Sequence, residues 1–360
     1  MPGVAIDTLQ VNAQGVTGQG SVAQRLIANG MNINSLRPFI GKDGRAYMTV
    51  NQGGTLKAVP INNAATLRKD EWKQYDTAII REARQRLMGI ADLEARGLVY
   101  RIGNGLGKTV LETENLNEFT EAELSMDGIT RGEGDRAQYG IGYLPLPIIH
   151  KDYMINARVL AASRTTGDPL DTTSSEMATR QVVEKMETIL FQGSSTYTFG
   201  GGTIYGYCDF PNRNTVDLDT TWDTSGVTGA TILADVLAMK QALIDDRMFG
   251  PYVLYVPTNY ETKLDEDFKA EGDITIRQRL LQIENISAVK VSDYLADDNV
   301  VLVQMTSDVV RIVSGMEIAP VEWQAQGGMV LHYKVMGIKV PQIRSTQAGR
   351  CGICHLRAAA

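Results

Sequence analysis

Two short runs in this chain have the residue types and spacing of known chemistry. Cys351-Gly352-Ile353-Cys354-His355 follows the C-x-x-C-H pattern, in which two thiols form thioethers to a porphyrin and the histidine ligates its iron. Gly103-Asn104-Gly105-Leu106-Gly107-Lys108-Thr109 approximates the glycine-rich loop that cradles nucleotide phosphates. The phosphate loop, however, requires an earlier glycine where this chain has Ile102, and Gly103 falls one residue late. The residues that follow, Val110-Leu111-Glu112-Thr113-Glu114-Asn115, carry no apolar helical stripe, so no helix N-terminus would face a phosphate. The run therefore reads as a flexible loop. Around Cys351–His355 there is no export signal and no helical pattern, which favours a terminal β-strand with small thiols buried in alternation. Zinc would have to recruit Cys208 or His332, neither at ligand spacing. His150, His332 and His355 form no H-E-x-x-H pattern, and no G-x-S-x-G elbow occurs. Asp245-Asp246, Asp265-Glu266-Asp267 and Asp297-Asp298 fall at helix ends or polar turns and read as solvated faces. No catalytic residue, metal ligand or cofactor is assigned, and the expectation is a protein that is not an enzyme.

Composition narrows the alternatives. The 360 residues are 43% hydrophobic, enough for two compact units. No apolar run approaches the roughly 18 to 20 residues that span a bilayer, and Met1–Asp7 lacks the basic and apolar parts of a signal peptide. Three cysteines, Cys208, Cys351 and Cys354, make no disulfide framework. These features predict a soluble protein made in a reducing cytoplasm. A formal charge of −7 argues against tight sequence-specific DNA binding, which needs a basic face.

The charge is unevenly spread. Residues 1–69 hold seven bases, among them Arg25, Arg37 and Arg45, against two acids. Residues 98–150 hold eight acids, among them Glu118, Glu121, Glu123 and Asp127, against four bases that include Arg131. Two readings stand: separately solvated surfaces, or a basic arm and an acidic loop that meet between subunits, where complementary charge fixes register.

The elements follow from periodicity and punctuation. Residues 1–20 read as an extended arm. Apolar residues at helical spacing from Trp72 to Ile90 predict one helix over about 71–96, capped by Asp70 and ended by Gly97. Residues 98–150 form a long two-stranded arm: a strand at Leu98–Ile102, a mixed stretch from Thr109, a turn at Asp127-Gly128 and a return strand at Gln138–Tyr143. A lone ribbon is marginal in water, so this arm demands a partner. Thr173-x-x-Glu176 reads as a capping box opening a rod helix with the stripe Ala178, Val182, Met186, Ile189 and Leu190, stopped by Gly193. From Thr224 helices at 231–248, 259–268 and 275–283 alternate with strands at 253–256, 288–291, 300–305 and 309–313, the last three predicted to share one sheet. Longer strands at 317–323 and 329–343 return to the first unit.

This order of parts, together with Leu144-Pro145-Leu146-Pro147-Ile148-Ile149-His150-Lys151-Asp152-Tyr153, Ala161–Thr172 and Glu187-Thr188-Ile189-Leu190-Phe191-Gln192-Gly193, resembles the major capsid protein of tailed bacteriophages (the Hong Kong ninety-seven fold), which encapsulin shells share. Ser125-Met126-Asp127-Gly128 looks like the encapsulin-like subgroup. The resemblance implies an α+β fold with an N-terminal arm (1–60) and an E-loop hairpin (98–150). It further implies a discontinuous P-domain (61–97, 151–223, 324–360) with a spine helix at about 173–193, and an α/β A-domain (224–323). It places Glu118, Glu121, Glu123, Asp127, Gly128 and Arg131 of the E-loop, and Arg25, Arg37 and Arg45 of the arm, at subunit interfaces.

The function implied is self-assembly as hexamers and pentamers into an icosahedral phage head around double-stranded DNA, contacted non-specifically. Scaffold, portal, maturation protease and cement proteins are the further partners such a shell uses, with no membrane and no cofactor. The location implied is the virion, after synthesis in a host bacterial cytoplasm. Lys108, the one lysine of the loop, lies near its base, so the cross-linking chemistry of some family members is not carried over. An encapsulin-type nanocompartment is the alternative, and a C-x-x-C-H haem protein the remote one.

Overall fold

A computed structural model describes residues 11–12, 15–16, 39–41, 43, 45–52, 55–60, 67, 69–103, 105–116, 124, 126, 139–160, 172–269, 272, 274–325 and 329–358. The chain divides into two units, one drawn from 1–109, 146–188 and 312–340, the other from 110–145, 189–311 and 341–360. In chain order the first elements are β1 (Val11–Asn12), β2 (Gly15–Val16), β3 (Phe39–Ile40), β4 (Ala46–Gln52), β5 (Thr55–Pro60), α1 (Lys69–Arg86), α2 (Gly89–Ala95) and β6 (Val99–Arg101). Next come β7 (Val110–Leu116), β8 (Tyr139–Pro145), β9 (Ile149–Asn156), α3 (Thr173–Gln192), β10 (Ser194–Phe199), β11 (Gly202–Ile204) and β12 (Asn214–Leu218). The rest are α4 (Gly229–Asp245), β13 (Tyr252–Pro257), α5 (Glu261–Leu264), α6 (Ile276–Leu281), β14 (Ile286–Ser292), β15 (Val300–Gln304), β16 (Val310–Ala325), β17 (Val330–Ile343) and β18 (Ile353–Ala358).

The first unit is built on the sheet β6-β16-β17-β9. Along β17 burial alternates from Val330 to Lys334, where β9 pairs with it, and becomes continuous from Val335. Such a switch marks a strand that has one solvated face and then two covered ones. Tyr333 and its register partner Tyr153 stack at 5.2 Å, and Trp72 of α1 meets Tyr333 edge-on at 6.4 Å. With Phe39, Leu67, Leu160 and Leu331 they make one core cluster. A second contact fixes α3: Gly337 of β17 has no side chain where Met186 of α3 packs, and a Cβ there would stand 2.8 Å from the methionine methyl.

The one long helix predicted over 71–96 is two. It breaks at Leu87-Met88 because the amides of Gly89 and Ile90 turn to the Glu187 carboxylate of α3, at 3.1 and 3.0 Å. A side chain far away in sequence thus overrides an unbroken local periodicity. α3 begins at Thr173, and the hydroxyl of Thr172 just before it donates to Glu176 Oε1 at 3.0 Å. The stripe Ala178, Val182, Met186, Ile189 and Leu190 is buried as expected. Gly193 ends the helix at φ 72°, a left-handed conformation that only glycine adopts cheaply.

The second unit holds the sheet β12-β18-β15-β13-β14. Its end pairs are parallel and its middle pairs antiparallel. One face packs α4 through Ile232, Val236, Met239 and Leu243 against Tyr252, Leu254, Val256, Leu302 and Leu356. The opposite face sets Tyr255 against Phe191 and Tyr207, with ring centroids 5.1 and 6.1 Å away. Each large apolar side chain fully buried this way contributes about 1.5–3 kcal/mol. Cover on both faces explains why β13 and β15 are unbroken apolar runs. α6 opens with a complete capping box, Thr275 accepting from the Gln278 amide at 3.3 Å.

Several expectations for strands and for one helix are corrected. Val309–Val313 does not share a sheet with 288–291 and 300–305; it opens the sixteen-residue β16, which also takes in the separate strand predicted at 317–323 and pairs with β6. The helix predicted over 259–268 shortens to a 3₁₀ turn and the four residues of α5. β18 is buried from Ile353 to Leu356 without alternation, because it lies inside a covered sheet. Segments 214–218 and 353–358, which the sequence reading places in the P-domain, supply two strands of the sheet built mainly from 252–304.

Candidate functional site

The two chemistry-like runs are consumed by the fold. Gly105 is buried, and a Cβ on it would strike the backbone carbonyl of Gly315. Residues 105–107 form a turn and lead into strand β7 rather than a helix. The glycine run is therefore a close backbone crossing onto β16. Cys351, Cys354 and His355 are all buried, and burial pushes both thiols up to about 12, far from the thiolate. Both ring nitrogens of His355 are engaged: Arg213 Nε donates to Nδ1 at 3.2 Å, and Nε2–H donates to Asn299 Oδ1 at 2.7 Å. Burial, and after it the charges of Arg213 and Arg357, push this histidine down to about 4. Thiols and a ring so enclosed do not fit a covalently attached haem.

What the structure offers is surface. β7 and β8 pair antiparallel from Val110↔Pro145 to Leu116↔Tyr139. The pairing puts Leu111, Thr113, Gly142 and Leu144 on one face, with both leucines buried. The other face carries Glu112 and Glu114 opposite Tyr143 and Ile141, all four exposed, with Ile141 61% and Tyr143 43% accessible. A hairpin that pairs an acidic row with uncovered apolar side chains is suited to another protein surface. At its base stands the hairpin β10–β11. Gly202 there would clash with the Tyr143 carbonyl if it had a Cβ, and Gly200 lies against Val110. β10 adds Tyr197 and Phe199, 43% and 50% exposed, to the apolar surface of this unit.

Of the interface residues expected from sequence, Arg45 is described. It is exposed beside the β3–β4 connection, its amide bonded to Asp43 Oδ1 at 3.3 Å and its carbonyl accepting from Gly41 at 2.9 Å. Arg25, Arg37, Glu118, Glu121, Glu123, Asp127, Gly128 and Arg131 lie outside the described residues. The sequence reading missed Ile141, Tyr143, Tyr197 and Phe199, although the alternation Tyr197-Thr198-Phe199 before three glycines was a legible hairpin signal.

The family model described as Family of unknown function (DUF6260) matches residues 62–356. The type 1 encapsulin shell protein EncA of Myxococcus xanthus is 26% identical over 219 residues, 59% of this chain and 69% of that protein. Among solved structures, a virus-like particle from Pyrococcus furiosus superposes with a TM-score of 0.58 at 16% identity, covering 79% of this chain and 98% of that one. The capsid of Myoviridae phage XM1 gives 0.56 at 10% identity, covering 74% and 91%. The fold is that of shell-forming capsid proteins, the Hong Kong ninety-seven fold, as the resemblance implied.

Proposed function

This chain belongs to the DUF6260 family and carries a capsid fold, and from those premises we propose that it is a structural shell protein, without catalytic activity, that assembles as hexamers and pentamers into an icosahedral phage head around double-stranded DNA. The observation that carries the reading is the likeness spanning 98% of the particle-forming chain from Pyrococcus furiosus. In this reading residues 98–150 are the E-loop that clasps a neighbouring subunit, with Ile141 and Tyr143 seated on it. Residues 1–60 are the arm, 224–323 form the A-domain and the remaining segments the P-domain. Each contact is modest, and closed symmetry multiplies it. Scaffold, portal, protease and cement proteins belong to the same proposal.

An encapsulin-type nanocompartment is the second reading, favoured by the identity to EncA. Negative-stain microscopy of the purified full chain, with assays of nucleic acid and protein content, tests both. Angular particles holding double-stranded DNA are the expected result. Particles holding a folded protein and no DNA would favour the encapsulin, and monomers at all concentrations would defeat both.

Deleting residues 110–136 should leave the five-stranded sheet folded and weaken or abolish closed particles. Normal particles after that deletion would refute the E-loop assignment.

A further inference from the structure

The second unit holds a cleft that shell formation leaves unused. It encloses about 340 Å³ where three segments meet: the β7–β8 face that carries Thr113 and Gly142, the β10–β11 hairpin, and the end of β17. Gly142 and Gly201 border it, so part of its wall is backbone and the space stays open. Tyr143, Tyr205 and Phe210 supply its apolar part, with Tyr205 and Phe210 edge to face at 5.9 Å.

The polar side chains at this cleft are donors in want of an acceptor. Gln342 is only 5% exposed; its Oε1 accepts from Arg311 Nε at 2.6 Å, and its carboxamide nitrogen has no partner among the described residues. A guanidinium on the carbonyl side polarises the amide and strengthens its N–H groups as donors. Ser345 Oγ accepts from Asn212 Nδ2 at 2.8 Å, which leaves its O–H to donate. Arg344 is anchored by its backbone, its amide on the Val309 carbonyl at 2.8 Å. Its guanidinium has no ion-pair partner among the described residues, and none of the carboxylates among them lines the cleft. Buried donors are normally satisfied, so a lone cation beside an unbonded buried amide marks a place built for an anion.

We propose that this cleft binds a small aromatic oxyanion, a single ring bearing one carboxylate or phosphate group. The ring lies against Tyr205 and Phe210, and the oxyanion accepts from Arg344, Gln342 and Ser345. The planar fork of arginine suits both oxyanions, because each can accept two of its N–H groups in parallel. The site belongs to one unit of one chain and stands whether the shell encloses DNA or protein.

Saturation-transfer NMR on the full chain, with phenyl phosphate and benzoate as probes, tests it. Both should bind saturably, and the tighter of the two identifies the preferred oxyanion. Phenol should bind, and inorganic phosphate compete, at least about tenfold more weakly, since each lacks half of what the cleft recognises. Arg344→Gln should weaken phenyl phosphate by about tenfold or more, the loss of a charge-assisted hydrogen bond. Phe210→Leu should weaken it severalfold without changing competition by inorganic phosphate. Lys185→Gln, which removes an exposed cation of α3, should change nothing. Absence of saturable binding by both probes would overturn the site. So would inorganic phosphate competing as well as phenyl phosphate, which means an adventitious ion only, or equal losses in Arg344→Gln and Lys185→Gln. Should Arg344→Gln fail to fold, Phe210→Leu and the comparison of probes decide.

Discussion

His355 and Lys339 show how single side chains here serve the interior. His355 is neutral because Arg213 donates into one of its nitrogens, and a proton placed there would break that bond. Its value in the fold, about 4, lies below the ordinary 6.5, so the unfolded chain binds the extra proton first as pH falls. Stability from this site is complete above about 6.5 and is lost as pH falls toward about 4. Urea midpoints followed by tryptophan fluorescence should decline through that window, and His355→Gln should flatten the decline.

Lys339 is 3% exposed and pinned by Glu94 at 2.6 Å and Glu317 at 2.7 Å. Burial alone would pull its ammonium down, yet the two carboxylates outweigh burial and hold it above the usual lysine value. Lys339→Met leaves two carboxylates, each about a third exposed, facing each other without the ammonium and should cost about 1–2 kcal/mol. Adding Glu317→Gln to that variant should recover part of the loss, by double-mutant cycle in denaturant unfolding.

At the scale of elements, a glycine run that resembles a phosphate loop turns out to be a crossing point. Gly105→Ala forces a Cβ into the Gly315 carbonyl and should lower stability by about 1–3 kcal/mol. Gly107→Ala, at an exposed turn position, should change thermal stability far less. Equal losses in the two variants would contradict the crossing. Elements whose identity rests on local pattern were legible in the sequence: the α3 stripe, Gly193 as its stop, a helix opening at Thr275, and the apolar strands β13 and β15. What was not legible depends on partners distant in sequence. The break between α1 and α2 needs Glu187, about a hundred residues on. β16 could be recognised as one strand only from its place between β6 and β17 in the sheet, and nothing local announces that 214–218 and 353–358 pair with each other.

For the whole molecule, the particle reading makes the charge asymmetry testable. If the basic arm of one subunit meets the acidic loop of another, reversing Glu118, Glu121 and Glu123 to Lys should impair assembly, most visibly at low salt, where surface charges are least screened. Light scattering during assembly at two salt concentrations measures this, and unchanged assembly would return those residues to plain solvated surface. The fold was legible at this scale from the order of parts and the strings around Leu144–Tyr153 and Glu187–Gly193. The apolar contribution of Ile141, Tyr143, Tyr197 and Phe199 was not, because exposure is a property of packing and leaves no mark in composition.

The place of β18 sets a rule for when the molecule can be finished. It lies between β12 and β15, parallel to one and antiparallel to the other, yet the ribosome makes it after every other strand of that sheet. Until residue 358 has emerged, the sheet has a vacant slot at the centre of one half, flanked by two unpaired strand edges. A nascent or prematurely released chain cannot complete the unit that carries the β7–β8 hairpin. A chain interrupted before β18 therefore lacks the strand that joins β12 to β15.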